Sequence, residues 1–306
     1  IAQCLVGSEM CIRDRNKNGY ASRETHKNQA DMTEFTIQYN KAFKGGHSLN
    51  ALAGYSWNKN NNQEAFMDNY NFPTDDYSYN NMAAGTALKD GKATEKTYQE
   101  EYKLVGYFGR INYNYQGKYY LSASIRHEGS SKFGADHKWG TFPAVSIGWN
   151  LKEESFLKNV NFLSFLKLRA GYGITGTIPG NPYLSLNTLD LGGYGYYGGQ
   201  WTTLLRASSN PNPDLRWEKK KETNIGLDFA FFNDRISGSI DWYNRDTDDL
   251  IWDYTVSVPP YVKNTITANA GSIRNRGLEV SLNFIPVKTK SFTWDTGINF
   301  STNTNE

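Results

Sequence analysis

Strict alternation of apolar and polar side chains is the feature that most constrains this chain. In the stretch KYYLSASIRHEG, Lys118 to Gly129, one parity holds Tyr119, Leu121, Ala123, Ile125 and His127. The other holds Tyr120, Ser122, Ser124, Arg126 and Glu128. A period of two is the signature of a β-strand with one apolar face and one wet face. The same pattern recurs in Thr33–Phe43, Ser48–Asn58, Tyr102–Tyr115, Thr141–Leu151, Phe165–Thr175, Glu222–Phe232, Arg235–Arg245, Arg276–Ile285 and Ser291–Ser301. Each segment is about ten residues, the length a tilted strand needs to cross a bilayer.

The polar parity carries both signs of charge, including Arg110, Arg126, Lys167, Arg169, Asp228, Asp241, Glu279 and Asp295, with Gly and Ser between them. That composition describes a hydrated surface rather than a core. The connections alternate as well. Lys44–His47, Gln116–Lys118, Asn233–Asp234 and Pro286–Lys290 are short, and Lys152–Ser164 is of middle length. Lys59–Glu101, Gly129–Gly140, Gly176–Lys221 and Asp246–Asn275 are long. A sheet with every long loop at one end is the pattern of an outer-membrane barrel. No run of 18 apolar residues exists, so no transmembrane helix is expected, a test to which barrel strands are invisible. The mean hydropathy of −0.66 is compatible with such a barrel, because half of every strand is polar. The predicted fold is therefore all-β: an antiparallel transmembrane β-barrel portion of about ten strands, expected as an open curved sheet.

Aromatic residues are 15% of the chain, and many sit beside the short turns on the apolar parity: Phe43, Tyr113, Tyr115, Tyr119, Trp149, Phe229, Phe231, Phe284, Phe292 and Trp294. Amphipathic rings favour the headgroup region, so these residues predict an interfacial girdle. Arg110, Arg126, Arg169, Asp241 and Glu279 are expected to face a watery lumen.

Five stretches resemble the SusC/RagA family of TonB-linked outer-membrane transporters. They are YFGRINYNYQGKYYLSASIRHEGSSKFG, FPAVSIGWNLKEESFLKN, LKLRAGYGITG, NPNPDLRWEKKKETNIGLDFAFFNDRISGSIDWYNRDTDDLIW and GSIRNRGLEVSLNF. The resemblance covers Tyr102 to the end, with Met32–Asn58 less distinctive. It implies a plugged barrel of 22 strands in the outer membrane of a Gram-negative bacterium. It also implies energy supplied through TonB, a SusD-like lipoprotein lid, contact with outer-membrane lipid, and an oligosaccharide or peptide substrate. Measured against that pattern the sequence lacks the plug and the TonB-interacting segment, and it reads as the middle portion of such a barrel. Two alternatives stay open: a TonB-dependent iron-chelate receptor, and a soluble β-rich carbohydrate-binding or hydrolytic domain with an apolar core.

Residues 1–15, with Cys4 and Cys11, differ in style from the rest and resemble translated sequencing-adaptor read-through; they are read as non-native and set aside. Residues 16–306 are read as barrel. A net charge of +2 predicts no nucleic-acid partner.

No catalytic constellation, metal or cofactor is expected. His127 and Glu128 are consecutive on a strand and point to opposite faces. Asp246–Asp249 lacks a calcium-loop spacing. Arg216–Glu222 has mixed signs, and GYGITGTIPGNP lacks the strand–loop–helix setting of a phosphate loop. The candidate substrate contacts are aromatics among glycines in Leu191–Thr203, namely Tyr194, Tyr196, Tyr197 and Trp201. A second group is Trp252, Tyr254 and Tyr261. Mutual packing of these rings is the competing reading.

Overall fold

The computed structural model describes residues 2–5 by backbone, together with residues 19–74, 76 and 79–306. Fifteen strands are present among them: β1 (Ala2–Leu5), β2 (Tyr20–Phe43), β3 (His47–Tyr70), β4 (Glu95–Tyr115), β5 (Tyr119–Ser130), β6 (Trp139–Asn150), β7 (Leu163–Thr177), β8 (Leu189–Tyr197), β9 (Gln200–Ala207), β10 (Glu218–Phe231), β11 (Ile236–Asp248), β12 (Ile251–Thr255), β13 (Thr265–Asn269), β14 (Ser272–Lys288) and β15 (Thr293–Asn305). One sheet runs β1-β2-β3-β4-β5-β6-β7-β10-β11-β14-β15, and β8-β9 and β12-β13 are separate hairpins. Ten strands of the large sheet answer to the ten alternating segments. The eleventh, β1, pairs with Thr25–Asn28 and lies within the segment set aside above. The rest of that segment, Ile1 and residues 6–15, is outside the described residues.

The chain divides into two compact units, residues 1–33 with 57–103, and residues 34–56 with 104–306. In the first, the connection read as a long loop from Lys59 to Glu101 is strand at both of its ends. β3 continues to Tyr70 and β4 begins at Glu95. The run KNNNQE is polar at both parities, so it carries no alternation to read. Asn69 closes the remaining loop of this unit. Its Nδ2 donates to the carbonyls of Met82 (2.8 Å) and Gly85 (2.9 Å), and its Oδ1 accepts from Leu88 N (3.1 Å).

In the second unit, register turns the alternation into continuous rows. Tyr115, Tyr119, Trp149, Leu168, Leu227, Ile240, Val280 and Phe300 are successive partners across β4, β5, β6, β7, β10, β11, β14 and β15. The adjacent row on the other face reads Asn114, Tyr120, Gly148, Arg169, Gly226, Asp241, Glu279 and Ser301. Among the described residues nothing covers the apolar face. Ile147 is 58% exposed, Ile125 52% and Phe300 57%. A soluble sandwich would bury these side chains against a second sheet, so the soluble alternative fails on this face.

The short turns are set by backbone geometry. Gly45 and Gly46 (φ +87° and +84°) turn β2 into β3, and Gln116 and Gly117 (φ +53° and +68°) turn β4 into β5. Left-handed φ at consecutive residues matches the twist of a tight hairpin.

The buried apolar cluster is small and lies at the long-loop end. Phe133, Phe142, Leu215 and Trp217 form it, with Ile174, Ile178, Leu184 and Ile251 against it. Phe142 belongs to the polar parity, opposite Arg126. That parity is thus not hydrated throughout, a correction to the sequence reading. The loops between β5 and β6 and between β9 and β10 bring in Phe133, Leu215 and Trp217, whose spacing in the chain shows no period.

Candidate functional site

Two surfaces of the second unit position polar and aromatic side chains: the charged face of the large sheet and the two hairpins of the long connections. On the charged face, Arg169 of β7 reaches across two strands. Its Nε and one terminal nitrogen donate to the two oxygens of Asp228, each at 2.7 Å. The same nitrogen donates to Asp241 at 3.0 and 3.2 Å. Gly226 stands between Arg169 and Asp241 in register. A Cβ there would overlap Asp241 Oδ1 and lie 2.7 Å from the guanidinium, so this glycine is what lets the two side chains meet.

Arg126 makes a fork to Glu128 on its own strand (2.9 and 2.7 Å) and donates to Ser56 Oγ (3.2 Å). Asp241 faces Glu279 in register, and Arg110 is opposite Ser124. All five sequence-predicted charges therefore stand on the parity opposite the apolar row; Arg169 and Asp241 are in contact, while Arg126, Arg110 and Glu279 are placed separately. Beside them runs a chain of hydrogen bonds between neutral side chains of the polar parity, which the alternation alone does not reveal. Ser122 Oγ donates to Asn112 Oδ1 (2.7 Å), Asn112 Nδ2 to Asn50 Oδ1 (3.2 Å), and Asn50 Nδ2 to Asn40 Oδ1. Asn50, Asn112 and Ser122, with Tyr120, Lys167 and Arg169, border an open concavity of about 460 Å³. The Lys167 ammonium lies 4.5 Å from the centre of the Tyr120 ring.

The loop Leu191–Thr203 is a hairpin, β8-β9. Tyr196 pairs with Trp201 in register, and the rings meet edge to face at 5.5 Å. Tyr194, Tyr197 and Trp201 are more than two-thirds exposed. Trp252 and Tyr254 stand on the second hairpin, β12-β13, where Tyr254 donates its hydroxyl to the Ala270 carbonyl and Trp252 is exposed. Tyr261 lies in the connection between β12 and β13.

The segment NPNPD explains how the second hairpin is held. Pro211 and Pro213 have no N–H to offer a ladder. The flanking amides do the pairing instead. Asn210 Nδ2 donates to the carbonyls of Lys263 (2.7 Å) and Thr265 (2.8 Å), and its Oδ1 accepts from Val262 N (2.9 Å). Asn212 Nδ2 donates to Thr267 O (3.0 Å), and Asn269 Nδ2 donates to Arg216 O (2.8 Å). Trp217 Nε1 donates to Lys138 O at 2.9 Å. Among the described residues the acids of Asp246–Asp249 have cationic partners: Asp246 with Arg274, Asp248 with Lys221 and Asp249 with Arg216. The Arg216 guanidinium holds the Asp249 carboxyl below the usual carboxylate range. His127 and Glu128 point to opposite faces, as expected: His127 stacks on Trp139 (4.8 Å, 7°) while Glu128 binds Arg126.

The apolar face carries two aromatic belts, of which the sequence reading found one. Beside the short turns His47 lies tilted against Tyr115 at 4.5 Å, and Tyr115, Tyr119 and Trp149 stack in succession at 6.2 and 6.3 Å. Toward the long loops Tyr55 and Tyr107 meet at a tilt at 5.3 Å, and Tyr107 stacks on Trp139 at 6.3 Å. On β6 the belts are ten residues apart, Trp139 to Trp149. That is about 33 Å along the strand, or about 25 Å normal to a membrane crossed at the usual tilt, the height of a barrel's apolar band.

A family model described as TonB dependent receptor-like, β-barrel, matches residues 12–306. The chain belongs to the TonB-dependent receptors. It is 44% identical over 224 residues to TonB-dependent receptor SusC of Bacteroides thetaiotaomicron, covering 71% of this chain and 22% of SusC. It is 35% identical over 288 residues to TonB-dependent receptor P3 of Formosa agariphila, covering 94% of this chain and 28% of the relative. A structure of the RagAB peptide importer superposes on 94% of this chain with a TM-score of 0.84 and 25% identity, using 31% of its own chain. The chain thus spans less than a third of the length of each of these receptors. The SusC/RagA character read from its motifs and the barrel-wall architecture both stand. None of these relatives is described as an enzyme.

Proposed function

We propose that the chain forms part of the barrel wall of an outer-membrane importer of oligosaccharide or peptide fragments, driven through TonB and covered by a SusD-like lipoprotein. The observation that carries this reading is the pair of adjacent rows. Eight apolar side chains in unbroken register suit lipid, and the row behind them, from Asn114 to Ser301, suits a hydrated passage. The likeness to SusC and to a peptide importer supports a nutrient cargo over an iron chelate.

In this reading Arg110, Arg126, Arg169, Asp241 and Glu279 line the passage. The ion pairs keep the wall polar without leaving a strong field of one sign, which favours neutral or zwitterionic cargo. Tyr194, Tyr196, Tyr197, Trp201, Trp252 and Tyr254 contact cargo at the outer mouth, where flat rings stack on sugar faces or peptide side chains. Residues 1–15 are treated as foreign to the receptor. Uptake of labelled maltooligosaccharides and of oligopeptides, by cells whose only receptor of this kind is the complete protein, tests the reading. Import of one class that stops when TonB is deleted supports it. Uptake of a ferric chelate alone overturns it.

A further inference from the structure

The buried core at the long-loop end joins three connections that are far apart in the chain. Residues 131–138 link β5 to β6, residues 178–188 link β7 to β8, and residues 208–217 link β9 to β10. Phe133 comes from the first, Leu184 from the second, and Leu215 and Trp217 from the third. Phe142 of β6 meets them from the polar face of the sheet. The Trp217 ring lies 5.0 Å from Phe133 and meets Phe142 edge to face at 5.1 Å. Phe133 and Leu215 are almost completely buried, unlike the exposed apolar row on the other face.

Polar and backbone contacts tie the same three connections together. Lys132 is 4% exposed, and its Nζ donates to the carbonyls of Pro179 (2.9 Å) and Gly180 (2.6 Å). Trp217 Nε1 donates to Lys138 O, and Asn212 N donates to Leu184 O at 2.9 Å. A Cβ on Gly134 would run into the Pro213 carbonyl, so the first and third connections meet backbone to backbone. Each connection is thus fastened to the other two. Both aromatic hairpins stand on this frame. Ser208 N donates to Thr188 O (2.9 Å) at the base of β8-β9. Asn210 and Asn212 hold β13, and Ile251 of β12 packs on the core. The rings at the tip of β8-β9, Tyr197 and Trp201, are exposed.

A segment held by its own contacts opens alone, whereas segments that share one core open together, because releasing one exposes the apolar surface of the rest. We propose that these three connections are one cooperative collar, with Lys132 and Trp217 as its positioning residues, and that the collar holds both aromatic hairpins as a mouth formed before cargo arrives. Cargo then orders the tip of β8-β9 and leaves the collar as it is. That last step rests on the import reading; the cooperativity of the collar does not.

The test is hydrogen exchange, read by mass spectrometry, on the complete receptor in detergent for the wild type, Trp217→Ala, Trp217→Phe and Lys132→Met. In the wild type, residues 131–138, 178–188 and 208–217 should exchange at one common slow rate, and the tip around Tyr197 far faster. Trp217→Ala should speed all three segments by a common factor of about a hundred, as loss of a buried aromatic side chain implies. Trp217→Phe should restore most of the protection. Lys132→Met should also speed all three together, and it decides the question where Trp217→Ala does not assemble. Acceleration confined to the connection that carries the substitution overturns the collar. The wild type is then measured with maltooligosaccharides or oligopeptides, whichever class the cells import. Slower exchange at the β8-β9 tip with the collar unchanged supports the preformed mouth. An unchanged tip, or a collar whose exchange changes with cargo, overturns it. Import of neither class defeats the import reading and the preformed mouth with it, while the rates without cargo still decide the collar.

Discussion

Arg169 and Asp228 are joined by two parallel hydrogen bonds of 2.7 Å across adjacent strands, and Asp241 completes the clamp from a third strand. One guanidinium therefore neutralises two carboxylates and fastens β7, β10 and β11 on the polar face. Substituting Arg169 by Ala leaves both acids facing each other, half-buried. The expected loss is about 1–3 kcal/mol in refolding of the complete barrel, from charge-assisted hydrogen bonds left unmade. Arg169→Lys should recover only part of it, since an ammonium cannot form the fork. The triple change Arg169→Ala, Asp228→Asn, Asp241→Asn should be more stable than Arg169→Ala alone. A triple variant no better than the single one would show that the clamp is not electrostatic.

Gly226 tests the same clamp from the backbone. Because a Cβ would overlap Asp241 Oδ1, Gly226→Ala should displace Asp241 from Arg169. In a double-mutant cycle, Asp241→Asn should cost much less in the Gly226→Ala background than in the wild type. Additive losses in a urea titration would mean that the glycine and the ion pair are independent.

The lipid-facing assignment predicts a face-dependent cost of charge. Leu168→Arg or Val280→Arg should destabilise the complete barrel by about 2–4 kcal/mol near mid-bilayer. Arg at Ser122 or Ser281, on the opposite parity, should cost far less. Cysteine labelling gives a second measure: lipid-phase probes should reach position 121 and not 126. Equal losses at both sets, or the reverse labelling, would contradict the placement of the apolar row.

Glu154 links the girdle to pH. Its carboxylate accepts from the Tyr119 hydroxyl (2.6 Å), from Trp149 Nε1 (3.1 Å) and from Lys118 Nζ (3.5 Å). The hydrogen bonds from Tyr119 and Trp149, then the charge of Lys118, hold this turn carboxyl below the usual carboxylate range. A depressed value in the folded state means that the unfolded chain takes up the proton first. The stabilisation is therefore present above the ordinary carboxylate value and is lost as pH falls through the lowered one. The gap in heat-modifiable mobility between wild type and Glu154→Ala should be open at pH 7 and close in acid. A gap independent of pH would assign the effect to packing alone.

The rows were legible in the sequence because a period of two survives any loop length. What escaped had no period to show. The extensions of β3 and β4 are polar on both faces around Lys59–Glu64, so nothing marks them as strand. Phe133, Leu215 and Trp217 come from loops some eighty residues apart and meet only in space. The asparagines of NPNPD act through side-chain amides that replace a backbone ladder, which composition does not reveal. The upper belt is legible in the same way, since Tyr55 and Tyr107 share the parity of their strands' apolar residues.

The last prediction concerns the edges of the sheet. Among the described residues β15 pairs with β14 alone, so its other edge presents free N–H and C=O groups. Beyond the region set aside, β2 has one neighbour, β3. In hydrocarbon such groups have no water to turn to, and each costs several kcal/mol; in water they invite pairing with another chain. The apolar face adds to the difficulty, because Ile147, Phe300 and their neighbours have no protein layer against them and need lipid or a partner surface. Closing ten strands into a smaller barrel would require a tilt and register other than those a wider barrel imposes. The relatives are more than three times as long, so further strands are available in them to satisfy both edges. Residues 16–306 expressed alone should therefore aggregate in water, and in detergent they should give no heat-resistant species on a gel, while the complete receptor does. A monodisperse, water-soluble monomer that unfolds cooperatively would mean that the apolar rows close on each other, and the lipid-facing reading would fall.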